Sequence, residues 1–176
     1  GVMNEGNVVA DFDSDLIGNG SHAYLKVVAL SSGRQVQGID TRVTNYGCNS
    51  IGNILQHGVI LEKATLTFNG IGHIIKGAKG ADAQQESRVL MLSDQARSDA
   101  NPILLIDEND VTAGHAASIG QVDPEDMYYL MSRGLDKATA ERLVVRGFLG
   151  SVIVEIPVKE VRDEMIATIE EKLSKR

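Results

Sequence analysis

VTAGHAASIGQV (111–122), DPEDMYYLMSRG (123–134) and LDKATAERLVVRGFLG (135–150) together decide how this chain folds. The first segment is made of small and β-favouring residues around His115, and the next two have helical spacing. Asp123 is a good N-cap, Pro124 suits the first helical position, and Gly134 stops the helix. Leu135-Asp136 restarts a second helix, which Gly147 and Gly150 close. The reading is a strand that passes directly into two helices, with a proline at the switch, so that residues 1–122 and 123–176 differ in kind.

Upstream of the switch the chain is a series of short β-favouring runs punctuated by Gly, Asn, Ser and Asp. Candidate strands are Val8–Phe12, Ala23–Leu30, Gln35–Val43, Gly58–Leu61, Ala64–Phe68, Ile71–Ile75, Val89–Leu92, Ile103–Ile106 and Ser118–Ile119. In GIDTRVTN (38–45), Ile39, Thr41 and Val43 share one face while Asp40, Arg42 and Thr44 share the other. Turn signals recur at Gly18-Asn19-Gly20, Ser31-Ser32-Gly33, Asn45-Tyr46-Gly47 and Asn69-Gly70. DAQQES (82–87) reads as a polar connection, and LLIDENDV (104–111) ends in a solvated turn. Many short strands with no helical stripe indicate an all-β architecture, which a sandwich and a parallel β-solenoid both satisfy. Few aromatics, many Gly and Asn at turns, and short apolar runs that could stack favour the solenoid, although no strict repeat period is visible.

Downstream, Met127, Leu130 and Met131 make one apolar helix face, and Ala140, Leu143, Val144 and Phe148 make another. SVIVEIP (151–157) reads as a short extended link, after which Val158, Val161, Met165, Ile169 and Leu173 form a long stripe on a last helix. Three amphipathic helices form a small C-terminal helical domain, and each must cover its stripe against the β part or a partner.

Composition narrows the function. Hydrophobic residues make up 43% of the 176, yet aromatics are only 4% and tryptophan is absent, so the core rests on Val, Ile, Leu and Ala. A net charge of −7, with no Lys/Arg cluster interleaved with aromatics, argues against nucleic acid. A single cysteine, Cys48, excludes an internal disulfide framework and fits a reducing, cytoplasmic compartment. No apolar run approaches a membrane span, and no signal peptide is visible. The Gly-Val-Met start has no obvious domain beginning and reads as the interior of something longer.

Catalytic signals are thin. His22, His57, His73 and His115 show no HxxxH or HExxH pairing, there is no CxxC, and no serine sits in a GxSxG elbow. A lone histidine among strands is ordinarily structural, and a lone thiol such as Cys48 is ordinarily a small hydrophobe. NGIGHIIKGAKG (69–80) lacks both phosphate-loop spacings, and the carboxylates of LLIDENDV lack the ligand pattern of a calcium loop. The residues by themselves suggest no enzyme.

One resemblance adds to this. GHAASIGQVDPEDMYYLMSRGL (114–135) and the AxxLVVRGFL pattern that follows (140–149) are similar to the C-terminal signature of the SufB/SufD family, scaffold proteins of iron–sulfur cluster assembly. Phe68-Asn69-Gly70 and LLIDENDV resemble parts of that family's core. The resemblance implies a right-handed parallel β-helix followed by a helical C-terminal domain, and a chain that is the C-terminal portion of a longer protein. SufB-type members place a Glu after the motif histidine and carry a cysteine upstream. Here Ala116 follows His115 and residues 58–122 contain no cysteine, so the similarity is to the SufD branch.

What the resemblance implies for function is a non-catalytic scaffold that pairs with a SufB-like paralogue through the β-helix and docks a SufC-like ATPase through the helices. His115 is then the expected metal-facing residue at the SufB interface, holding an iron–sulfur cluster only transiently and only in the complex. Asp126, Tyr128, Arg133, Lys137, Glu141 and Arg146 are the expected docking contacts for the ATPase. The competing expectations are a β-solenoid carbohydrate-active enzyme, for which clustered carboxylates are missing, and an interaction module that self-associates through its β-helix edges as a homodimer.

Overall fold

In the computed structural model, which describes residues 6–174, eight strands are followed by three helices. The strands are β1 (Val8–Leu16), β2 (His22–Ser31), β3 (Val36–Asn45), β4 (Ile51–Ile60), β5 (Thr65–Ile74), β6 (Asp82–Met91), β7 (Arg97–Ile106) and β8 (Thr112–Gln121). The helices are α1 (Pro124–Ser132), α2 (Lys137–Ile153) and α3 (Lys159–Ser174). The first five residues of the 1–122 segment and the last two of the 123–176 segment lie outside the described residues.

Strands alternate between two sheets ordered β1-β3-β5-β7 and β2-β4-β6-β8, and every pairing is parallel. Two strands make a turn, so the chain winds a β-solenoid of four turns. A repeat that the sequence hides now appears in the register. Val8 stands beside Gln37 and Val36 beside Thr65, offsets of 29 residues, while Ile51 beside Asp82 and Thr65 beside Arg97 are offsets of 31 and 32.

The space between the sheets takes every second side chain of each strand. Val27, Ala29, Ile39, Ile60, Leu66, Phe68 and Val89 fill one part of it, and Leu16, Val43 and Ile54 another. The alternation expected for 38–45 holds: Ile39, Thr41 and Val43 are fully buried. Gly58 faces Phe68 and Leu66, where a Cβ would come within 2.4 Å of the Leu66 side chain, so only glycine fits without displacement.

Several sequence expectations need correction. Asn69-Gly70 is no turn; it lies inside β5, which joins the two runs Ala64–Phe68 and Ile71–Ile75. Asn69 faces outward, donating to Asp40 Oδ1 at 2.6 Å and accepting from Asn101 at 3.0 Å in a ladder across three turns. Gly70 faces inward, where the Gln85 amide occupies the place of a Cβ. DAQQES (82–87) is the first half of β6, its inward Gln85 and Ser87 buried. Glu108 is no solvated turn residue: it is 5% exposed and accepts from the backbone N–H groups of Gly77 at 3.0 Å and Asn109 at 2.9 Å. SVIVEIP is no extended link, because α2 continues through Ile153.

The reason for that last difference is packing. The outward face of β2 and β4 presents Val28, Leu30 and Val59, with Leu61 just after β4, and α2 covers them with Val145, Leu149, Val152 and Ile153, helped by Ile169 and Leu173 of α3. Burying such side chains is worth about 1.5–3 kcal/mol each, enough to overrule the weak β preference of Val and Ile. Lys172 of α3 reaches the end of β2 and the loop after it, donating to the Leu30 carbonyl at 2.7 Å and to Gln35 Oε1 at 2.8 Å. Lys26 of β2 pairs with Glu155 just beyond α2.

Candidate functional site: the open last turn and the helices beside it

β7 and β8 close the two sheets on one side, and among the described residues neither has a partner beyond it. β8 reads TAGHAASIGQ, ten residues without a charge, and nine of them are exposed. Pro102 falls in β7, at a sheet edge where a missing N–H is tolerated.

His115 lies midway along β8, exposed. Register fixes its face: it stands beside Gln85, which stands beside Ile54, and both of these are buried between the sheets. His115 therefore belongs to an inward column that opens to solvent only because the solenoid ends there. Beneath it the interior is polar. Gln85 Nε2 donates to the Ile103 carbonyl at 2.7 Å, tying the third turn to the fourth, while its Oε1 is buried without a partner. Ser87 Oγ donates to Gln56 Oε1 at 2.7 Å, and Gln56 Nε2 donates to Thr41 Oγ1 at 3.1 Å. Cys48 sits far back in the winding, in the turn between β3 and β4, with Sγ 3.3 Å from the Gly77 carbonyl. Among the described residues no three His, Cys, Asp or Glu side chains gather closely enough to hold a metal ion.

α1 follows three residues after β8, for the reasons the local sequence supplies. Asp123 accepts from the Glu125 N–H at 2.9 Å, Pro124 opens the helix, and Glu125 and Asp126 favour its positive end. Gly134 terminates it with φ at 93°, a conformation in which glycine avoids the Cβ penalty. Asp136 then caps α2, accepting from Thr139 N–H at 2.7 Å, and that bond holds its carboxyl below the usual range. α1 has no buried residue; its apolar side is only half covered, with Met131 44% exposed.

The six expected docking residues do not share one face. Tyr128, Lys137 and Glu141 line a groove of about 410 Å³ between α1, α2 and the end of β6, with Met91, Met127 and Met131. Asp126 is exposed on α1. Arg133 folds back on its own helix, its guanidinium 5.1 Å from the Tyr129 ring centre and 3.3 Å from Tyr129 Oη. Arg146 lies about 140° around α2 from Glu141 and pairs with Glu170 of α3 at 3.2 Å. From the sequence Gln85 falls in a polar connection and His57 is only a lone structural histidine; the roughly 30-residue register gives each its place once the turns are aligned.

The whole sequence from residue 1 to 148 matches the family described as SUF system FeS cluster assembly, SufBD core domain. The chain belongs to the SufB/SufD family. Within it the chain is 51% identical to the iron–sulfur cluster assembly protein SufD of Bacillus subtilis, over 98% of this chain and 40% of that protein. An iron–sulfur cluster assembly SufBD family protein of Mycobacterium leprae is 42% identical over 55% of this chain and 25% of its own length. Another from Mycobacterium tuberculosis is 32% identical over 80% of this chain and 17% of its own. The chain thus spans well under half of these relatives. The similarity to SufD agrees with Ala116, rather than Glu, after the motif histidine. Among the described residues no helix is long and apolar enough to cross a membrane.

Proposed function

We propose that this chain is the scaffold portion of a SufD-like subunit, acting in iron–sulfur cluster assembly without catalysing a reaction itself. The β7–β8 end pairs with a SufB-like paralogue, and α1 with α2 receives a SufC-like ATPase. The observation that carries the reading is His115 in the inward column of an uncharged ten-residue edge strand whose outer side has no partner among the described residues. Natural proteins protect exposed edges with charge, proline or a covering element; β8 has none of these along its length, which favours addition of a strand from another chain. A second solenoid joined there would continue the interior column and bring its own side chains above His115.

An imidazole is a sound iron ligand beside thiolates, and residues 58–122 offer no thiolate, so the sulfur ligands come from the partner. The cluster is cargo, held transiently at the seam. The Met-lined groove with exposed Tyr128 suits an adaptable protein contact for the ATPase.

His115→Ala in the intact protein, with the SufB-like and SufC-like partners present, is the test. Cluster assembly is expected to fall strongly, while stability changes by about 0.5 kcal/mol or less because the residue is exposed. Assembly at the wild-type rate would remove His115 from the site, and failure to co-purify with either partner would overturn the scaffold reading.

A further inference from the structure

α2 carries a second apolar face that stays open among the described residues. Its first face, Val145, Leu149, Val152 and Ile153, is buried on the solenoid. At 100° per residue, Leu143, Gly147, Gly150 and Val154 fall within about 60° of one another on the side away from it. Leu143 is 49% exposed; Val154, the capping residue, is 64% exposed and still helical, with φ −62° and ψ −21°. Steps of four, three and four residues are the spacing of a seam between packed helices. A helix that is apolar on opposite sides is ordinarily covered on both.

The two glycines sharpen this. Gly134 requires glycine for its φ of 93°, and Gly58 because neighbouring side chains fill the place of a Cβ. Neither reason applies at Gly147 or Gly150. Both lie inside α2 rather than closing it, neither has a positive φ, and a Cβ at either would meet nothing within 4 Å. Each such glycine weakens a helix roughly fivefold relative to alanine. No contact among the described residues offsets that loss. Glycine does let a second backbone approach closely, and the bare turn between Leu143 and Val154 is shaped to take the larger side chains of an incoming helix.

We propose that this face seats a helix of the same polypeptide, supplied by the part of the full-length protein outside residues 1–176. Two observations select that occupant over a separate chain. The sequence matches only 40% of the Bacillus subtilis relative, so more than half of a protein of that length lies outside it. The seam is also small: four residues along about three turns, against about 20–30 residues a side in a stable interface between chains. A tether raises the effective concentration of its own helix to roughly millimolar, which lets so small a contact form. The seam carries no charge, so the incoming helix turns aliphatic side chains towards α2. It lies about 160° around α2 from Glu141 of the Met-lined groove and does not rest on the docking proposed there.

Cysteine accessibility in the full-length protein tests this. Leu143→Cys and Val154→Cys, made singly, are compared with Ala167→Cys at an exposed position of α3. Maleimide modification is followed at each introduced cysteine by peptide mass, and each rate is divided by that of the same variant in denaturant. The first two are expected to react about tenfold slower than the third, or slower still, at every protein concentration. Gly147→Leu, whose side chain meets open space on α2 itself, should raise Val154→Cys to the reference rate by displacing the helix; Gly150→Leu gives the same comparison if that variant folds poorly. Equal rates at all three positions, or slow labelling that survives both leucine variants, would overturn the proposal. So would protection that appears only at high protein concentration, only with a SufB-like or SufC-like chain added, or only with lipid vesicles, since each assigns the face to another occupant.

Discussion

Truncating Leu149 to alanine asks whether helices and solenoid form one folding unit. Leu149 is fully buried on α2, among Val28, Leu30, Val59 and Leu61 from the sheet and Ile169 and Leu173 from α3. Three carbons are removed, and at about 0.8 kcal/mol for each buried methylene the transfer loss is about 2.4 kcal/mol. A cavity adds to this wherever the surroundings cannot close in. Here the floor is β2 and β4, held in parallel register along ten residues each, so collapse is restricted and the loss falls at about 3–4 kcal/mol. Native-state hydrogen exchange through a urea series, read by peptide, gives both the size and the place of the effect. Because each turn of a solenoid leans on its neighbours, α2, β2 and β4 should lose stability together, and β8 should lose less. A loss confined to α2 would mean that the helices fold apart from the sheet they cover. A total change below about 1 kcal/mol would mean that the site repacks freely, against the rigid-floor argument.

Glu108 provides a pH test. Backbone N–H groups of Gly77 and Asn109 hold its pKa down to about 2, so its contribution is complete above 4.5 and is lost as pH falls towards 2. Glu108→Gln should destabilise the protein at pH 7 and flatten the acid limb of the stability profile measured by thermal melts; an unchanged limb would refute the assignment. Gly58→Ala should destabilise by about 1–3 kcal/mol in urea unfolding, since its Cβ would overlap Leu66 and Phe68. A neutral or stabilising result would show that these two side chains have room to move.

How legible the chain is depends on the range of the interaction that decides each residue. Asp123, Pro124, Gly134 and Asp136 act on their immediate neighbours, and the helix starts and stops read from them stand. β4 and β6 are different. Gln56, Gln85 and Ser87 look like loop residues in isolation, and they become strand interior only because stacked turns let them satisfy one another. Asn69-Gly70 has the chemistry of a turn, yet the Asp40–Asn69–Asn101 ladder and the neighbouring Gln85 amide hold it in extended form. The repeat itself is hidden because successive turns share position rather than residue type, as the column Ile54, Gln85, His115 shows. The face of α2 that meets the sheet is likewise set by Val28 and Val59, more than eighty residues away along the chain, which no local pattern encodes.

That same column bears on what the last turn is for. It passes from Ile54, apolar and 3% exposed, to Gln85, polar and 4% exposed, to His115, exposed and able to bind a proton or a metal. An end designed only to stop the solenoid would carry charges or a covering helix, yet α2 and α3 cover β2 and β4 and leave β8 bare. Leaving ten backbone groups and a polar interior uncovered is costly unless another chain completes them. A partner that merely shielded the edge would need no histidine at its centre. The placement of His115 at the mouth of a polar interior, on an edge without charge, therefore favours the proposed joint chemistry across a seam over simple association, and residues 58–122 supply no cysteine of their own for it.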